Sequence, residues 1–258
     1  MKSAVLVCSL LTALLASPLD AQVDYTRAGQ PYTQNFDHPE AFMSGPFAWN
    51  DNQTFPGWFA TYYEGSRSRY SPVESIFATS GSGRNEQAFY LYRSDSVRGA
   101  SLAAPDCALG SQSSDQRCPG VGAGGIFYGV ALVNRTGETL DTLRLSFLVE
   151  LWRLATTPPT QTTLTVSVRV GGKDLTDGSW MLVPGGVYAT PRGGDGESVQ
   201  ARSLDGNAPE NVKAFSDLTL SGLALAPGET VWVRWFDVNN SFADHGIGLD
   251  DVSLTLLP

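Results

Sequence analysis

The sequence predicts an all-β protein, an antiparallel β-sandwich of the jelly-roll type. Apolar residues take every second position between 143 and 151, and again between 164 and 170, which is the period of a half-buried strand. Residues 126–133 and 231–238 are apolar at both parities and predict central strands. Glycine and proline turn signals separate these runs. Many short strands joined by such turns favour a sandwich over a parallel α/β fold.

Two long segments interrupt the strand pattern and predict irregular loops. Residues 94–125 and 184–210 are rich in Gly, Ser, Pro and Asp, a composition typical of loops. Loops of this length inside a compact domain are usually functional or mobile. We therefore expect any variable or ligand-facing surface to include them.

The first 21 residues have the order of a secretory signal peptide. Lys2 is followed by an apolar run over residues 4–16 and then by the small residue Ala21. The run is too short to cross a bilayer, which needs roughly 20 apolar residues. We expect cleavage after Ala21, a secreted protein without a transmembrane segment, located outside the cell, in the periplasm or on the cell surface, and one domain over 22–258. The alternative is a buried strand or helix.

The charge balance argues against nucleic acid and anionic lipid as partners. The formal net charge is −9, and the lysines number three, Lys2, Lys173 and Lys213. Binding to phosphate requires clustered Lys and Arg, and the arginines here are scattered.

Two cysteines, Cys107 and Cys118, remain after the predicted cleavage. They flank a segment rich in Gly, Ser and Asp. In an oxidising compartment an even pair that closes a short loop predicts a disulfide. A metal site would need further Cys or His residues nearby, and none is present in the adjacent sequence.

The apolar parity switches within the last predicted strand. Ile247 and Leu249 are odd-numbered, whereas Val252 and Leu254 are even-numbered. One extra residue in a strand, a β-bulge, produces such a switch. The sequence predicts this bulge at Asp250-Asp251, where it places two adjacent carboxylates in an apolar sheet.

Short motifs occur in a recognisable order along the chain. They cover residues 32–37, 49 with 52, 56–58, 128–129, 134, 136–137, 150–153, 204–207, 234–237 and 244–251. By these motifs the chain resembles a group of secreted bacterial β-sandwich proteins, many of which end in a PEP-CTERM-type sorting tail. The resemblance implies a jelly roll of the broad carbohydrate-binding-module type and no established activity. Because the printed sequence ends at Pro258, directly after the last predicted strand, we do not expect sorting through such a tail.

The two terminal strands also resemble those of MAM-type extracellular jelly rolls. The matching residues are Asn35-Phe36-Asp37, Gly57-Trp58 and 249–252. The resemblance implies that Asp37 meets Asp250 or Asp251 at a structural cation. Ca²⁺ is the expected ion, since it takes carboxylate and backbone oxygens together. The alternative is that both bulge carboxylates accept backbone N–H groups.

The sequence lacks a recognisable catalytic arrangement, and we expect no enzymatic activity. A glycosidase needs two carboxyl groups that face each other across a cleft. Glu150 stands alone on its strand, and the adjacent Asp250 and Asp251 should diverge. The chain has two histidines, His38 and His245, and no Gly-x-Ser-x-Gly motif.

Two of the six tryptophans are candidates for a sugar platform. Trp152 lies on the parity opposite to the apolar set of its strand, and Trp232 opposes Val231, Val233 and Trp235. Aromatic faces suit the C–H surfaces of sugars. The alternative is that both rings are core, where large aromatic side chains are usually found.

Three classes of function are compatible with these features. We expect, in this order, a non-catalytic module that binds glycan or another cell-surface or matrix component, a structural or adhesive matrix protein, and a polysaccharide hydrolase or lyase with an unrecognised site. Fold class does not decide among them, because function depends on the site.

Overall fold

The structure is a computed structural model of the full chain. It describes residues 22–37, 45–82, 88–94, 106–156, 161–191, 200–241 and 243–258. The predicted signal peptide, residues 1–21, lies outside the described residues. Two β-sheets pack face to face, so the predicted all-β sandwich is confirmed.

Strands are numbered in chain order, and seven of them form the first sheet. Their bounds are β1 Val23–Tyr25, β4 Trp58–Glu64, β5 Arg69–Pro72, β9 Gly125–Asn134, β11 Thr163–Val170, β12 Met181–Ala189 and β15 Thr230–Val238. The order is β12-β11-β15-β9-β4-β5, with β1 beside the end of β9. All pairs are antiparallel except β1 with β9. The two runs predicted as central strands are β9 and β15, and they pair with each other over nine residues.

The other nine strands form the second sheet. Their bounds are β2 Tyr32–Gln34, β3 Gly45–Ala48, β6 Ser75–Thr79, β7 Phe89–Arg93, β8 Cys107–Ser111, β10 Leu140–Leu154, β13 Arg202–Ser203, β14 Val212–Leu225 and β16 Gly246–Leu257. The order is β13-β10-β16-β8-β7-β6-β3, with β14 also on β10 and β2 also on β16. The pair β6–β7 is parallel.

The core lies between the two sheets and is rich in aromatic rings. Trp58 of β4 stacks on Trp235 of β15, with ring centroids 5.7 Å apart. Phe147 of β10 meets Trp235 edge-on from the opposite sheet at 5.5 Å. Such contacts are favourable beyond the apolar area that they bury, and here they join the two sheets.

The predicted bulge in β16 is present. Ser146 of β10 pairs with Ser253 of β16, and Leu148 pairs with Asp250, so two residues along β10 correspond to three along β16. Asp251 adopts a left-handed φ of 46°, a conformation that Asp tolerates better than most residues. The extra residue turns the Asp250 side chain into a buried position and leaves Asp251 exposed.

The predicted disulfide is absent, because Cys107 and Cys118 are not joined. The segment between them is not a simple loop. Cys107 begins β8, and four extended residues carry the chain roughly 13 Å away from it at about 3.3 Å per residue. Cys118 lies in a turn, where its carbonyl accepts a hydrogen bond from Asn239 Nδ2 at the end of β15 (2.9 Å). The two cysteines are thus held at different places, Cys107 at the start of β8 and Cys118 beside the end of β15.

The described residues contain no helix long and apolar enough to span a membrane.

Candidate functional site

The outer face of the first sheet carries a group of aromatic side chains. Odd-numbered residues of β4 and β9 and even-numbered residues of β15 point away from the core. Those that pack together are Phe59, Tyr63, Phe127, Trp232 and Phe236. This second apolar face explains why β9 and β15 are apolar at both parities.

The connection between β11 and β12, residues 171–180, folds back over this face, and we call it the cover segment. Leu175 is buried at its centre among the outer-face aromatics. The guanidinium of Arg234 lies 3.7 Å from the ring centre of Trp180 and 4.2 Å from that of Phe127. Cation–π contacts of this kind stabilise by about 0.5–2 kcal/mol, with the larger value in desolvated sites.

Two arginines of the sheet also hold the backbone of the cover segment. Arg169 donates hydrogen bonds to the carbonyls of Asp174 (2.7 Å) and Asp177. Arg234 donates to the carbonyl of Leu175. Burial lowers the pKa of Arg234 to about 10, so the guanidinium stays charged at neutral pH. The cover segment is therefore fixed to the sheet by charged donors as well as by apolar packing.

A cleft opens between the cover segment and strands β4 and β5, and we call it the β4–β5 cleft. Its volume is about 300 Å³, at the lower end of the range for small-molecule sites. Phe59 and Tyr70 supply aromatic surface, and Asp51 and Asp174 supply carboxylates. Tyr70 is 41 % exposed. This combination of aromatic faces and oriented polar atoms is suited to a ligand with both apolar and hydroxyl surfaces.

Sequence reasoning missed these residues, although one signal was available. Phe59 and Tyr63 lie on the parity of β4 opposite to the core residue Trp58. The parity argument that selected Trp232 also applies to them. Asp174 gave no such signal, because only the fold of the cover segment brings it to the cleft.

Trp152 and Trp232 do point away from the core, as their parity predicted, but both are 0 % exposed. Trp232 packs beneath the cover segment, with its ring centroid 5.0 Å from that of Phe59. The Trp152 ring stacks on Tyr92, with ring centroids 5.7 Å apart. Gly206 lies so close to the indole of Trp152 that a Cβ at that position would stand 2.1 Å from it. The predicted role of these two rings as ligand contacts is corrected accordingly, because neither offers a face to a sugar.

Glu150 and Asp250 lie beside each other on the outer face of the second sheet. Glu150 pairs with Gly248 and Asp250 with Leu148, which makes the two carboxyls diagonal neighbours on adjacent strands. Burial raises the pKa of Glu150 to about 7 and, together with the carboxylate of Glu150, that of Asp250 to about 9. Asp250 is 3 % exposed, and its Oδ1 accepts no hydrogen bond. The sequence suggested that Glu150 stands alone, whereas the fold gives it an acidic neighbour.

The predicted cation ligands are only partly brought together. Burial raises the pKa of Asp37, and the nearby carboxylates of Asp106 and Asp251 contribute to the increase. Asp250 is likewise influenced by Asp251 and Asp106. Even so, across the described ranges no three His, Cys, Asp or Glu side chains form a group able to hold a metal ion. The carboxylates share an electrostatic environment without forming a coordination shell.

A second buried acidic pair, Asp237 and Asp244, lies at the end of β15. Burial raises the pKa of both carboxyls, and the charge of Asp237 raises that of Asp244 further. Ser113 donates to Asp237 Oδ2 from its backbone N (3.3 Å) and its hydroxyl (3.1 Å). Both aspartates are at most 2 % exposed, so a substrate cannot reach them in this conformation.

Comparisons with known proteins give structural similarities only. No family model matches the sequence, and no curated protein does. One similar structure is that of the carbohydrate-binding module TmCBM61 in complex with β-1,4-galactotriose. The alignment covers 81 % of this chain and 99 % of the TmCBM61 chain, with 8 % identity and a TM-score of 0.34. The K1 cleaved adhesin domain of Lys-gingipain from Porphyromonas gingivalis covers 88 % and 98 %, with 12 % identity and a TM-score of 0.38.

The CBM22-1 xylan-binding domain from Paenibacillus barcinonensis Xyn10C is a third similar structure. It covers 90 % of this chain and 97 % of its own, with 12 % identity and a TM-score of 0.34. Two of these three proteins are thus carbohydrate-binding modules and one is an adhesin domain. Similarity at this level carries no argument about function, which depends here on the geometry of the site.

Proposed function

We propose that the protein is a secreted, non-catalytic module that binds glycan through the outer face of its first sheet. The observation that carries the proposal is the β4–β5 cleft, where Tyr70 and Phe59 stand beside Asp51 and Asp174. Aromatic rings pack against the C–H faces of sugars, while carboxylates orient their hydroxyls.

The absence of catalysis is part of the proposal. Hydrolysis of a glycosidic bond uses two carboxyl groups that flank the bond. The carboxyl pairs with raised pKa values, Glu150 with Asp250 and Asp237 with Asp244, are buried. The β4–β5 cleft also carries two carboxylates, Asp51 and Asp174, and the proposal gives them the role of hydrogen-bond acceptors for sugar hydroxyls rather than of acid and base.

Binding to a polysaccharide panel tests this function. The protein, residues 22–258, is incubated with insoluble polysaccharides and separately titrated calorimetrically with soluble ones. We expect binding to at least one member, and no release of reducing ends over the same period. The heat-unfolded protein is the control for non-specific adsorption. A lack of binding across the panel, or turnover abolished by Glu150→Gln, Asp51→Asn or Asp174→Asn, contradicts the proposal.

A structural Ca²⁺ ion held by Asp37, Asp250 and Asp251 remains a proposal. Burial raises the pKa values of Asp37 and Asp250, and the carboxylates of Asp106 and Asp251 raise both further. This supports the proposal, since a cation relieves repulsion between like charges. Because the described side chains do not form a coordination group, ion binding requires Asp37 and Asp251 to move towards Asp250.

A further inference from the structure

We infer that the β4–β5 cleft recognises an uncharged sugar segment through its hydroxyl donors and discriminates against uronic acids. The inference rests on the proposed glycan-binding function and names the class of ligand. It is carried by the hydrogen-bonding state and charge of the atoms that line the cleft.

The aromatic part of the cleft is held in place by its neighbours. The Tyr70 ring packs against Tyr63, with centroids 4.8 Å apart, and against Phe127 at 6.2 Å. Phe59 is supported from below by Trp232. Preorganised rings lose little conformational entropy when a ligand binds, so Tyr70 is positioned to pack on a sugar ring.

Each carboxylate of the cleft uses one oxygen to hold the protein and leaves the other for a ligand. Asp51 Oδ1 accepts from Trp49 Nε1 (2.7 Å) and from the backbone N of Ala60 (2.9 Å). Asp174 Oδ1 accepts from the backbone N and the hydroxyl of Thr176 (2.7 and 2.6 Å). Within the described part of the chain, Oδ2 of Asp51 and of Asp174 accepts no hydrogen bond.

Three of the four hydroxyls that line the cleft, those of Thr61, Ser71 and Thr176, are also committed as donors. Thr61 Oγ1 donates to the carbonyl of Ser71 (3.0 Å), and Thr176 Oγ1 donates to Asp174. A hydroxyl has one donor and two acceptor positions, so these groups retain acceptor capacity alone. Apart from the Tyr70 hydroxyl, which can donate or accept, the polar side chains of the lining offer acceptors. Their complement is a ligand rich in O–H donors.

The charge of the lining separates neutral from acidic glycans. Two carboxylates face the cleft, and the described residues that line it include no Lys or Arg. Arg234 lies nearby, but its guanidinium is held between Phe127 and Trp180 and donates to the Leu175 carbonyl. A uronate would meet like charge and no Lys or Arg among the residues that line the cleft, and such a mismatch disfavours a competing ligand. Arg169, which acts on Asp174, is likewise engaged, because it donates to the carbonyls of Asp174 and Asp177.

Conservative variants test the role of the carboxylates. Asp51→Asn and Asp174→Asn keep the Oδ1 acceptor that holds the backbone, and they convert Oδ2 into an NH₂ donor. We expect each to weaken binding to the best neutral polysaccharide by about 5- to 10-fold, and Tyr70→Ala to weaken it more than 10-fold. Matched controls are Asp217→Asn, an exposed acid on β14, and Leu182→Ala, an exposed apolar residue on β12.

The same assay uses two sets of probes, neutral β-glucan, xylan and galactan, and the uronic polymers polygalacturonate and alginate. Thermal unfolding of each variant confirms that it folds. Binding to neutral probes that is weakened in Tyr70→Ala and both Asn variants but not in the controls supports the inference. Binding confined to the uronic polymers, or neutral binding that these variants leave unchanged, overturns it while the glycan-binding function stands. Failure to bind either set overturns both.

Discussion

The guanidinium of Arg234 lies between the rings of Trp180 and Phe127, 3.7 Å from the centre of the Trp180 ring. This contact joins the cover segment to the central strand β15. It therefore fixes the position of Asp174, which belongs to the same segment and lines the β4–β5 cleft. A single cation–π pair thus connects the packing of the sheet with the shape of the candidate site.

Removal of the Trp180 ring should loosen the cover segment. We expect Trp180→Ala to lower the free energy of unfolding by at least about 0.5–2 kcal/mol, the range for a cation–π contact, with a further loss from reduced apolar burial. Urea unfolding followed by circular dichroism measures the change. Trp180→Phe is the control, because it retains an aromatic ring over Arg234 and should be less destabilised. Equal stability of Trp180→Ala and the parent protein would contradict this account of the segment.

The sequence predicted what depends on local periodicity. Alternation over residues 143–151 and apolarity at both parities over 126–133 gave β10 and β9, and the parity switch gave the bulge at Asp250-Asp251. These features follow from the period of two along a strand, which is written in neighbouring residues.

The sequence could not predict what depends on long-range contacts. Trp232 was correctly placed on the outer face, yet its burial depends on Leu175 in a glycine-rich connection. Gly206 lies against Trp152 in the same way. The cleft joins Tyr70 to Asp174, and no local pattern relates two residues so far apart. The parity of a strand says which way a side chain points and not what covers it.

The buried carboxyl of Asp250 should make stability depend on pH. Its pKa is 3.8 in the unfolded reference and about 9 in the folded protein, so the folded state binds more protons between these values. The contribution to stability is therefore full below about pH 4 and is lost as the pH rises to about 9. Asp250→Asn cannot ionise at this position. We therefore expect its free energy of unfolding, relative to that of the parent, to be greater at pH 8 than at pH 5 by at least about 1.4 kcal/mol, the value of one pKa unit.

Urea unfolding at both pH values in EDTA measures this difference without interference from metal ions. Asp251→Asn is the matched control, because Asp251 is the exposed neighbour on the same bulge. Its stability difference from the parent should change less with pH. A difference between Asp250→Asn and the parent that stays constant from pH 5 to pH 8 would show that Asp250 does not change ionisation in this range.

Calcium should stabilise the fold if Asp37, Asp250 and Asp251 share an ion. A ligand present at about a hundredfold above its dissociation constant adds roughly 2.7 kcal/mol. We expect added Ca²⁺ to raise the melting temperature, EDTA to reverse the increase, and Asp251→Asn to abolish it. Mg²⁺ is the control ion, because it demands a tighter octahedral shell. A melting temperature that neither Ca²⁺ nor EDTA changes would leave a protonated Asp250 as the better description of the bulge.

The two described cysteines should behave as protected thiols. Cys107 and Cys118 are at most 1 % exposed and are not joined, and burial raises the pKa of Cys118 to about 12. The thiolate is the reactive form, so both protonation and burial slow attack on a thiol reagent. We expect residues 22–258, prepared without reductant, to react slowly with Ellman's reagent when folded and to release two equivalents in guanidinium chloride. Cys118→Ala should release one equivalent under the same conditions, which checks the count. No reaction after unfolding would instead demonstrate the disulfide that the spacing of these cysteines predicted, and would require β8 and the turn after it to take a different path.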